Sequence, residues 1–461
     1  MASKPLVLFL FLMVLGWKGL ASEPVHQDTP NTAPEAHHYF LGILSDYEPS
    51  VFRKHLKAID EDWQPAFEIM AIETLYYMQT HRRGRPLLAL LEKHTGQRFG
   101  FDFDKWWQWL WNKPSNYDPS YFEFKAELHR RIDPRFQRYF SKRSAQSSIR
   151  LDEVRWGGVL QDGIPPLRNP TMIRPDEATY LRDGALVFGI EINGEARAYP
   201  KQILAWHELF TDTVGGIKVA GVYCTLCGTV ILYETEHDGI EHELGTSGFL
   251  YRSNKLMYDQ ATQSLWSTLE GKPVIGPLTG TGIELEFRSV VTTTWGEWKK
   301  RHPNTTVLSL RTGHQRDYRE GVAYKDYFAD DDLMFTVPEI DSRLNNKDEV
   351  LVVRNPDDLS DQLVFSNRFL RQNPIHRDRL EMGVFTIFTD STGAHRVYRT
   401  DATEFDTYDG GEKVKDLDGF WWTLEENGMR NESGEILERI HTFNAFWFGY
   451  KAAFPEVRLV R

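Results

Sequence analysis

The sequence predicts an α+β protein in which a small all-α domain precedes two related β-rich units. Between residues 37 and 145, apolar residues recur at helical spacing, which indicates amphipathic helices. After the polar stretch at 141–148, the pattern changes to short runs rich in β-branched and aromatic residues, separated by glycine turns. A Trp-x-x-aromatic-Lys segment with a downstream proline occurs at 295–308 and again at 447–459. This repetition predicts an internal duplication.

The first residues have the features of a secretory signal peptide. Lys4 precedes an apolar run, and small residues precede a plausible cleavage point after Ala21. The run is shorter than the ~20 residues that a membrane-spanning helix needs, and Lys18 interrupts it. We therefore expect residues 1–21 to be removed on export to the periplasm or the exterior, and the mature form to lack an integral membrane segment. Residues 22–36, rich in Pro and Thr, predict a flexible leader.

Composition and charge narrow the classes of partner. The chain has 461 residues, of which 41% are hydrophobic and 26% charged, as is typical of a globular protein. Its formal net charge of −12 argues against nucleic acid as a partner. The sequence has no Gly-x-Ser-x-Gly elbow, phosphate-binding loop, dinucleotide fingerprint or His-Glu-x-x-His motif. It therefore names neither a reaction nor a protein or small-molecule partner.

The helical region, predicted over 37–145, ends in a cluster of tryptophans. The stretch "TGQRFGFD" and the tryptophans after it resemble segments of HEAT-like helical repeats. The four tryptophans are expected to pack the end of the small helical domain; they are Trp106, Trp107, Trp109 and Trp111.

The two predicted β-rich units differ in their cysteine content. The first spans 150–310 and the second 345–461, with a bridge rich in Arg, Tyr and Asp at 311–344. Where the first unit has "VYCTLCGTVILY", the second has "VFTIFTDSTGAHRVY". Any chemistry of the cysteine pair is therefore expected in the first unit.

The stretch "GVYCTLCGTVILYE" contains the only two cysteines of the sequence, Cys224 and Cys227. In thioredoxin-like proteins a Cys-x-x-Cys motif opens a helix, whose N-terminus lowers the pKa of the thiol. Here apolar residues typical of a strand follow the motif, and Gly228 permits the positive φ of a tight turn. A strand, Cys-x-x-Cys-Gly and a second strand predict the knuckle of a metal site, which needs further ligands.

His207 is the predicted third ligand. It lies in "AYPKQILAWHELF", the element before the strand that leads into the knuckle, and Glu208 is an alternative ligand from the same element. Two thiolates and an imidazole suit a transition metal, either zinc or copper. Further residues are expected to line the same pocket, with Met257 as an additional soft ligand; they are Tyr223, Tyr251, Asn254, Met257, Tyr258 and Asp259.

Three segments together resemble a known family. They are "NGEARAYPKQILAWHELFTDTVGGIKVAGVYCTLCGTVILYE", "SGFLYRSNKLMYDQATQSLW" and "TTTWGEWKKRHPNTTVLS". The chain from about residue 154 to 461 resembles exported bacterial and archaeal proteins catalogued as domain of unknown function 3179. The family pattern Tyr-Cys-Pro-Leu-Cys-Gly has Thr225 in place of proline here, and its Trp-His-Glu corresponds to Trp206, His207 and Glu208. The resemblance implies export and a shared Cys/His constellation, and it implies no activity.

Three hypotheses about function stay open at this point. The first is a metalloprotein, catalytic if three protein ligands leave a fourth position open. The second is a thiol–disulfide redox protein that uses Cys224 and Cys227. The third is a non-catalytic binding module whose aromatic-rich repeats contact a partner. The sequence does not decide whether the protein is an enzyme.

Overall fold

The computed structural model describes residues 35–78, 80–141 and 146–461. The predicted signal peptide and nearly all of the predicted leader lie outside the described residues. Within the described part of the chain, no helix combines the length and the apolar character needed to cross a membrane.

The amino-terminal part of the described chain is helical, as the sequence predicts. Its helices are α1 (Ala36–Ser45), α2 (Pro49–Glu61), α3 (Glu68–Tyr77), α4 (His81–Thr95), α5 (Phe103–Trp111) and α6 (Tyr121–Arg130). Gly96 ends α4 in the left-handed conformation, with φ of 73°. Asp102 caps α5, because its carboxylate accepts a hydrogen bond from the backbone N–H of Lys105.

The helical region shares its hydrophobic core with a β-sheet that the chain forms later. Trp106 and Trp107 are fully buried in a core that also contains Phe249, Leu265 and Ile275. At the same contact, the buried ammonium of Lys125 bonds to the carboxylate of Glu73 and to the carbonyl of Val154. From Ala36 to Arg461 the chain forms one compact unit.

The strands of the predicted first unit form three five-stranded sheets. The elements are β1 (Val154–Trp156), β2 (Leu167–Arg168), β3 (Met172–Ile173), β4 (Leu186–Ile192), β5 (Glu195–Pro200), α7 (Lys201–His207), β6 (Leu209–Val214), β7 (Ile217–Cys224), β8 (Thr229–Glu234), β9 (Glu236–His237), β10 (Ile240–Glu241), β11 (Leu244–Tyr251), β12 (Asn254–Asp259), β13 (Leu265–Ser267), β14 (Pro273–Ile275), β15 (Phe287–Arg288), β16 (Val291–Thr294), α8 (Trp295–Arg301) and β17 (Thr306–Leu308). The sheet orders are β1-β11-β12-β13-β14, β15-β8-β7-β6-β2 and β16-β4-β5-β17-β3. β9 and β10 form a separate hairpin.

The predicted second unit contributes a four-stranded and an eight-stranded sheet. Its elements are β18 (Glu349–Arg354), β19 (Gln362–Ser366), α9 (Asn367–Gln372), β20 (Ile375–Leu380), β21 (Gly383–Thr389), β22 (His395–Arg399), β23 (Phe405–Tyr408), β24 (Lys413–Asp416), β25 (Trp421–Glu425), β26 (Gly428–Asn431), β27 (Ile436–Ile440), β28 (Thr442–Phe446), α10 (Trp447–Ala453) and β29 (Arg458–Val460). The sheet orders are β28-β18-β19-β29 and β20-β21-β22-β27-β26-β25-β24-β23. The chain is therefore α+β, with helices before the sheets.

Corresponding elements of the two units follow the same order and pair in the same senses. β4 and β5 are antiparallel, β16 is antiparallel to β4, and β17 is parallel to β5. β18, β19, β28 and β29 repeat this arrangement, and a short helix follows the same strands in both units. β6, β7, β8 and β15 pair as β20, β21, β22 and β27 do. The units differ in the remaining strands, since β11–β14 join β1 whereas β23–β26 extend the sheet of β27.

Candidate functional site

The two cysteines lie at a tight turn between two buried strands. Cys224 ends β7 and pairs in register with Thr229, the first residue of β8. Gly228 has φ of 60°, and a Cβ built on it would come within 2.6 Å of the ring of Phe446. The predicted strand–turn–strand form and the positive φ of Gly228 are thus both observed, and the close contact leaves no room for a side chain at this position.

The sulfurs of Cys224 and Cys227 lie at disulfide distance from each other. Their exposed fractions are only 2% and 1%, and they pack against Val337, Phe446 and Phe448. The backbone N–H of Phe446 donates to the carbonyl of Cys227 at 2.7 Å. The disulfide is therefore covered by side chains from the bridge and from the second unit.

A buried ion pair lies beside the cysteine motif. One carboxylate oxygen of Glu208 accepts hydrogen bonds from the hydroxyl of Thr225 at 2.6 Å and from that of Tyr324 at 2.8 Å. The other lies 2.5 Å from the ammonium of Lys255. The carbonyl of Glu208 also accepts the N–H of Tyr223 at 2.9 Å. Because desolvating a charged pair is costly, these hydrogen bonds help to stabilise the pair in the interior.

His207 is fully buried and has a partner at each ring nitrogen. Its Nδ1 lies 2.8 Å from the carbonyl oxygen of Pro165, which can only accept, so Nδ1 carries the hydrogen. Burial lowers the pKa of the ring to about 4, so the ring is neutral near pH 7 and Nε2 has no hydrogen. Nε2 therefore accepts the hydroxyl of Tyr318 at 2.6 Å.

The predicted ligand set is not assembled among the described residues. Among the described residues, no group of three or more His, Cys, Asp and Glu side chains is arranged to hold a metal ion. The two sulfurs are bonded to each other, and His207 uses both nitrogens for protein contacts. Zinc or copper binding by the reduced protein stays a prediction.

Of the residues predicted to line the pocket, Glu208, Tyr223 and Asn254 lie close to the motif. Tyr223 precedes Cys224, and its buried hydroxyl has no hydrogen-bond partner among the described residues. Asn254 donates to the carbonyl of Gly449 at 2.8 Å, and a Cβ built on Gly449 would lie 2.7 Å from the Cβ of Cys227.

The other predicted lining residues have different surroundings. Met257 is buried in an apolar core other than the one that includes the cysteines. Asp259 contacts the ring of His242 at 3.2 Å, Tyr258 bonds to Asp162, and Tyr251 packs on the helical core.

Three tyrosines of the bridge, residues 311–344, complete the site, and sequence reasoning did not single them out. Tyr318 bonds to His207 and Tyr324 to Glu208, while Tyr327 donates to the carbonyl of Leu226 at 2.7 Å. The sequence feature that could have indicated these residues is a polar segment in which tyrosine recurs at short intervals. Lys255 was also missed, although a lysine within a strand of buried residues is itself unusual.

Comparison with known proteins identifies a family and no activity. No curated protein and no solved structure shows significant similarity to this chain. The family described as "Protein of unknown function (DUF3179)" matches residues 161–457, which is more than half of the chain and includes the cysteine motif, His207 and Glu208. The chain therefore belongs to this family of proteins of unknown function.

Proposed function

We propose that this protein is a thiol–disulfide redox protein in which Cys224 and Cys227 form the reactive pair. The observation that carries the proposal is the disulfide between the only two cysteines, beside the buried pair of Glu208 and Lys255. Thr225, within the motif, connects the two features through its bond to Glu208. A buried acid and base next to a disulfide can accept and return protons when the disulfide opens and closes.

A structural staple is a weaker explanation of the same bond. The disulfide closes a loop of four residues, since the cysteines are three positions apart. In the chain-entropy description, so short a loop contributes only about 2 kcal/mol to the free energy of unfolding. Registered pairing of β7 with β8 already fixes this turn.

The proposed reaction is exchange with an external thiol compound. A thiolate of the reductant attacks one sulfur of the disulfide and forms a mixed disulfide, and the other cysteine leaves as a thiolate that takes up a proton. A second thiol of the reductant then displaces the remaining cysteine. In sum, two cysteine thiols and one oxidised reductant form, so electrons and protons balance. Because both sulfurs are buried, the exchange requires movement of the bridge residues around Val337.

Export is part of this proposal. The charged start, short apolar run and small residues before Ala21 support a signal peptide, and an oxidising exterior would keep the pair as a disulfide. Sequencing the amino terminus of protein recovered from the exterior or periplasm tests this, with a start near Ser22 expected. A mature protein that begins at Met1 or Ala2 would contradict export.

The internal duplication also belongs to the proposal. Two matched sets of strands and helices, with equal order and pairing, support two copies of one ancestral unit. Contacts between the sets are reciprocal, since β8 lies next to β28 and the corresponding β22 lies next to β16. Only the first copy would have kept a reactive turn. Superposition of the two sets of elements tests this, and a fit no better than that of unrelated sheets would contradict it.

Redox chemistry is tested by counting thiols and by titrating the disulfide. Untreated protein is expected to have no alkylatable thiol, and reduction by dithiothreitol without denaturant should release two. A midpoint potential more oxidising than about −300 mV is expected for a reactive pair, whereas structural disulfides usually lie lower. A disulfide that opens only in denaturant, or one with a lower potential, would contradict the proposal.

The metal hypothesis is tested on the same reduced sample. Zinc or copper(I) is added, and bound metal is measured after dialysis. Stoichiometric binding that is lost on Cys224→Ser, Cys227→Ser and His207→Ala would support the three-ligand site instead. Binding that His207→Ala leaves unchanged would argue against that ligand set.

A further inference from the structure

We infer that a pocket between α7 and the bridge binds a small organic anion that carries a carboxylate. The pocket has a volume of about 480 Å³ and includes Tyr180, Gln202, Leu310, Arg316 and Tyr318. This volume lies within the range of ~300–1,000 Å³ that is usual for small-molecule sites. The inference does not rest on the proposed redox chemistry.

The charges in the pocket leave one arginine without an acidic partner. Arg182 lies 2.5 Å from Glu320, and Arg319 lies 2.5 Å from Asp317, so these two arginines are neutralised by neighbours. Among the described residues, Arg316 makes a hydrogen bond to the carbonyl of Gln315 but no ion pair. Its guanidinium carbon lies 5.9 Å from the centre of the Trp206 ring, which favours one orientation of the fork. A planar guanidinium with unused donors suits a carboxylate.

The hydroxyl of Tyr318 is a second polar group in the pocket wall, and two neighbouring groups hold it in place. The hydroxyl of Tyr318 lies 2.6 Å from Nε2 of His207 and 2.7 Å from the hydroxyl of Thr312, and its one hydrogen can serve only one of these two neighbours. The Tyr318 oxygen keeps one lone pair, which can accept a hydrogen bond from a ligand. With these two neighbours in place, Tyr318 offers an acceptor to a ligand, while Arg316 offers donors.

The rest of the pocket favours an organic ligand over an inorganic ion. The rings of Tyr180 and Tyr318 lie in the wall together with the side chains of Ala185 and Leu310. Such surfaces gain from contact with carbon atoms. The structure therefore assigns to the pocket a ligand with a carboxylate for Arg316, a hydroxyl donor for Tyr318 and an apolar body.

Calorimetric titration of the full chain with 4-hydroxybenzoate tests the inference. 4-Hydroxybenzamide is the uncharged probe of matched shape, and inorganic phosphate tests simple anion binding. We expect saturable binding of 4-hydroxybenzoate, with the amide at least about tenfold weaker, since a charged hydrogen bond contributes about 1.5–3 kcal/mol. Equal affinity for acid and amide, no binding of either probe, or binding of phosphate alone would overturn the inference.

Variants assign the binding to these residues. Arg316→Gln should weaken 4-hydroxybenzoate binding about tenfold or more, whereas Arg319→Gln, whose arginine is already paired, should change it less than about threefold. Tyr318→Phe should weaken binding of 4-hydroxybenzoate but not of benzoate, which has no hydroxyl. Arg316 is exposed, so its variant is expected to fold, and an unchanged melting temperature verifies this. Equal losses for the two arginine variants would place the probe elsewhere and contradict the inference.

Discussion

Thr225 makes a contact that proline, the residue at this position in the family pattern, could not make. Its hydroxyl donates to the carboxylate of Glu208, which also bonds to Tyr324 and Lys255. A single residue between the two cysteines thereby links the disulfide to a buried charge. In this chain the residue type at that position decides whether Glu208 receives this hydrogen bond.

Replacing Thr225 tests that link. Thr225→Val keeps the shape but removes the hydroxyl, so Glu208 loses one of its donors in a buried position. We expect the free energy of unfolding to fall by about 1–3 kcal/mol, because a hydrogen bond to a charged group is lost. Urea denaturation measures the change. Thr225→Ser keeps the hydroxyl and should lower the free energy of unfolding clearly less. Equal losses in the two variants would show that the methyl group of Thr225, and not its hydrogen bond, stabilises the protein.

The contributions of Glu208 and Lys255 to the free energy of unfolding should depend strongly on each other. Glu208→Gln leaves the ammonium of Lys255 buried without its counter-charge, which should lower the free energy of unfolding by about 3–5 kcal/mol. Adding Lys255→Met removes the unpaired charge, so the double variant should recover a large part of that loss. A double-mutant cycle by urea denaturation gives the coupling. Additive losses would mean that the two charges do not interact.

At the scale of elements, the β7–β8 turn is held from two directions. Phe446, at the end of β28, packs on Gly228 and donates to Cys227, and Tyr327 of the bridge donates to Leu226. The corresponding turn between β21 and β22 has no cysteine, and there Asp390 accepts hydrogen bonds from Thr392 and Ala394. The two turns, which occupy the same place in the strand order, therefore differ: one holds the cysteine pair and the other is closed by a carboxylate.

A side chain at Gly228 should disturb this turn. In Gly228→Ala the new Cβ would strain a backbone of positive φ and would also lie within 2.6 Å of the Phe446 ring. Gly239→Ala is the matched control, because Gly239 also has positive φ, yet a Cβ added there would have no atom within 4 Å. We expect the Gly228 variant to lose about 1–3 kcal/mol more than the control, as overpacking in a core does. Thermal unfolding of both variants measures this, and similar losses would mean that the ring moves aside freely.

At the scale of the whole molecule, burial keeps several histidines neutral. Desolvation lowers the pKa of His129 and His395 to about 3 and that of His207 and His441 to about 4. The unfolded chain titrates near 6.5, so below that pH it binds more protons than the folded chain does. The stability that these neutral rings contribute is complete above pH 6.5 and is lost as the pH falls toward 4.

The melting temperature should therefore fall between pH 7 and pH 4.5. Removing a buried histidine, as in His395→Gln, should reduce this pH dependence, since one proton-binding group of the unfolded chain disappears. His81→Gln removes an exposed ring and serves as the control. Calorimetry across this pH range measures the slopes, and equal slopes for both variants would contradict the explanation.

The helices before the sheets should not be dispensable. Deleting residues 36–141 would expose Phe249, Leu256 and Ile275, which are buried against them. We expect the shortened chain to aggregate or to lose cooperative unfolding, because a large apolar surface of β11, β12 and β14 would face water. Gel filtration and calorimetry measure this. A monomeric, cooperatively folding product would show instead that the sheets are independently stable.

The sequence by itself determined that a helical region precedes the β-rich part of the chain, and it determined the strand–turn–strand form of the cysteine motif. These features follow from local periodicity, from β-branched and aromatic runs and from the glycine that the turn requires. It also placed Glu208 near the motif, because α7 leads into β6, which pairs with β7, the strand that ends at Cys224.

Only the tertiary structure decided which residues meet at the site. Lys255 on β12 and the three bridge tyrosines approach Glu208, His207 and Leu226 from distant parts of the chain, and nothing in local sequence reports such contacts. It also decided that His207 bonds to Pro165 and Tyr318, and that Met257 is buried in another core. The physical reason is that side-chain partners are chosen by packing between elements, whereas sequence periodicity shows only which face of each element is buried.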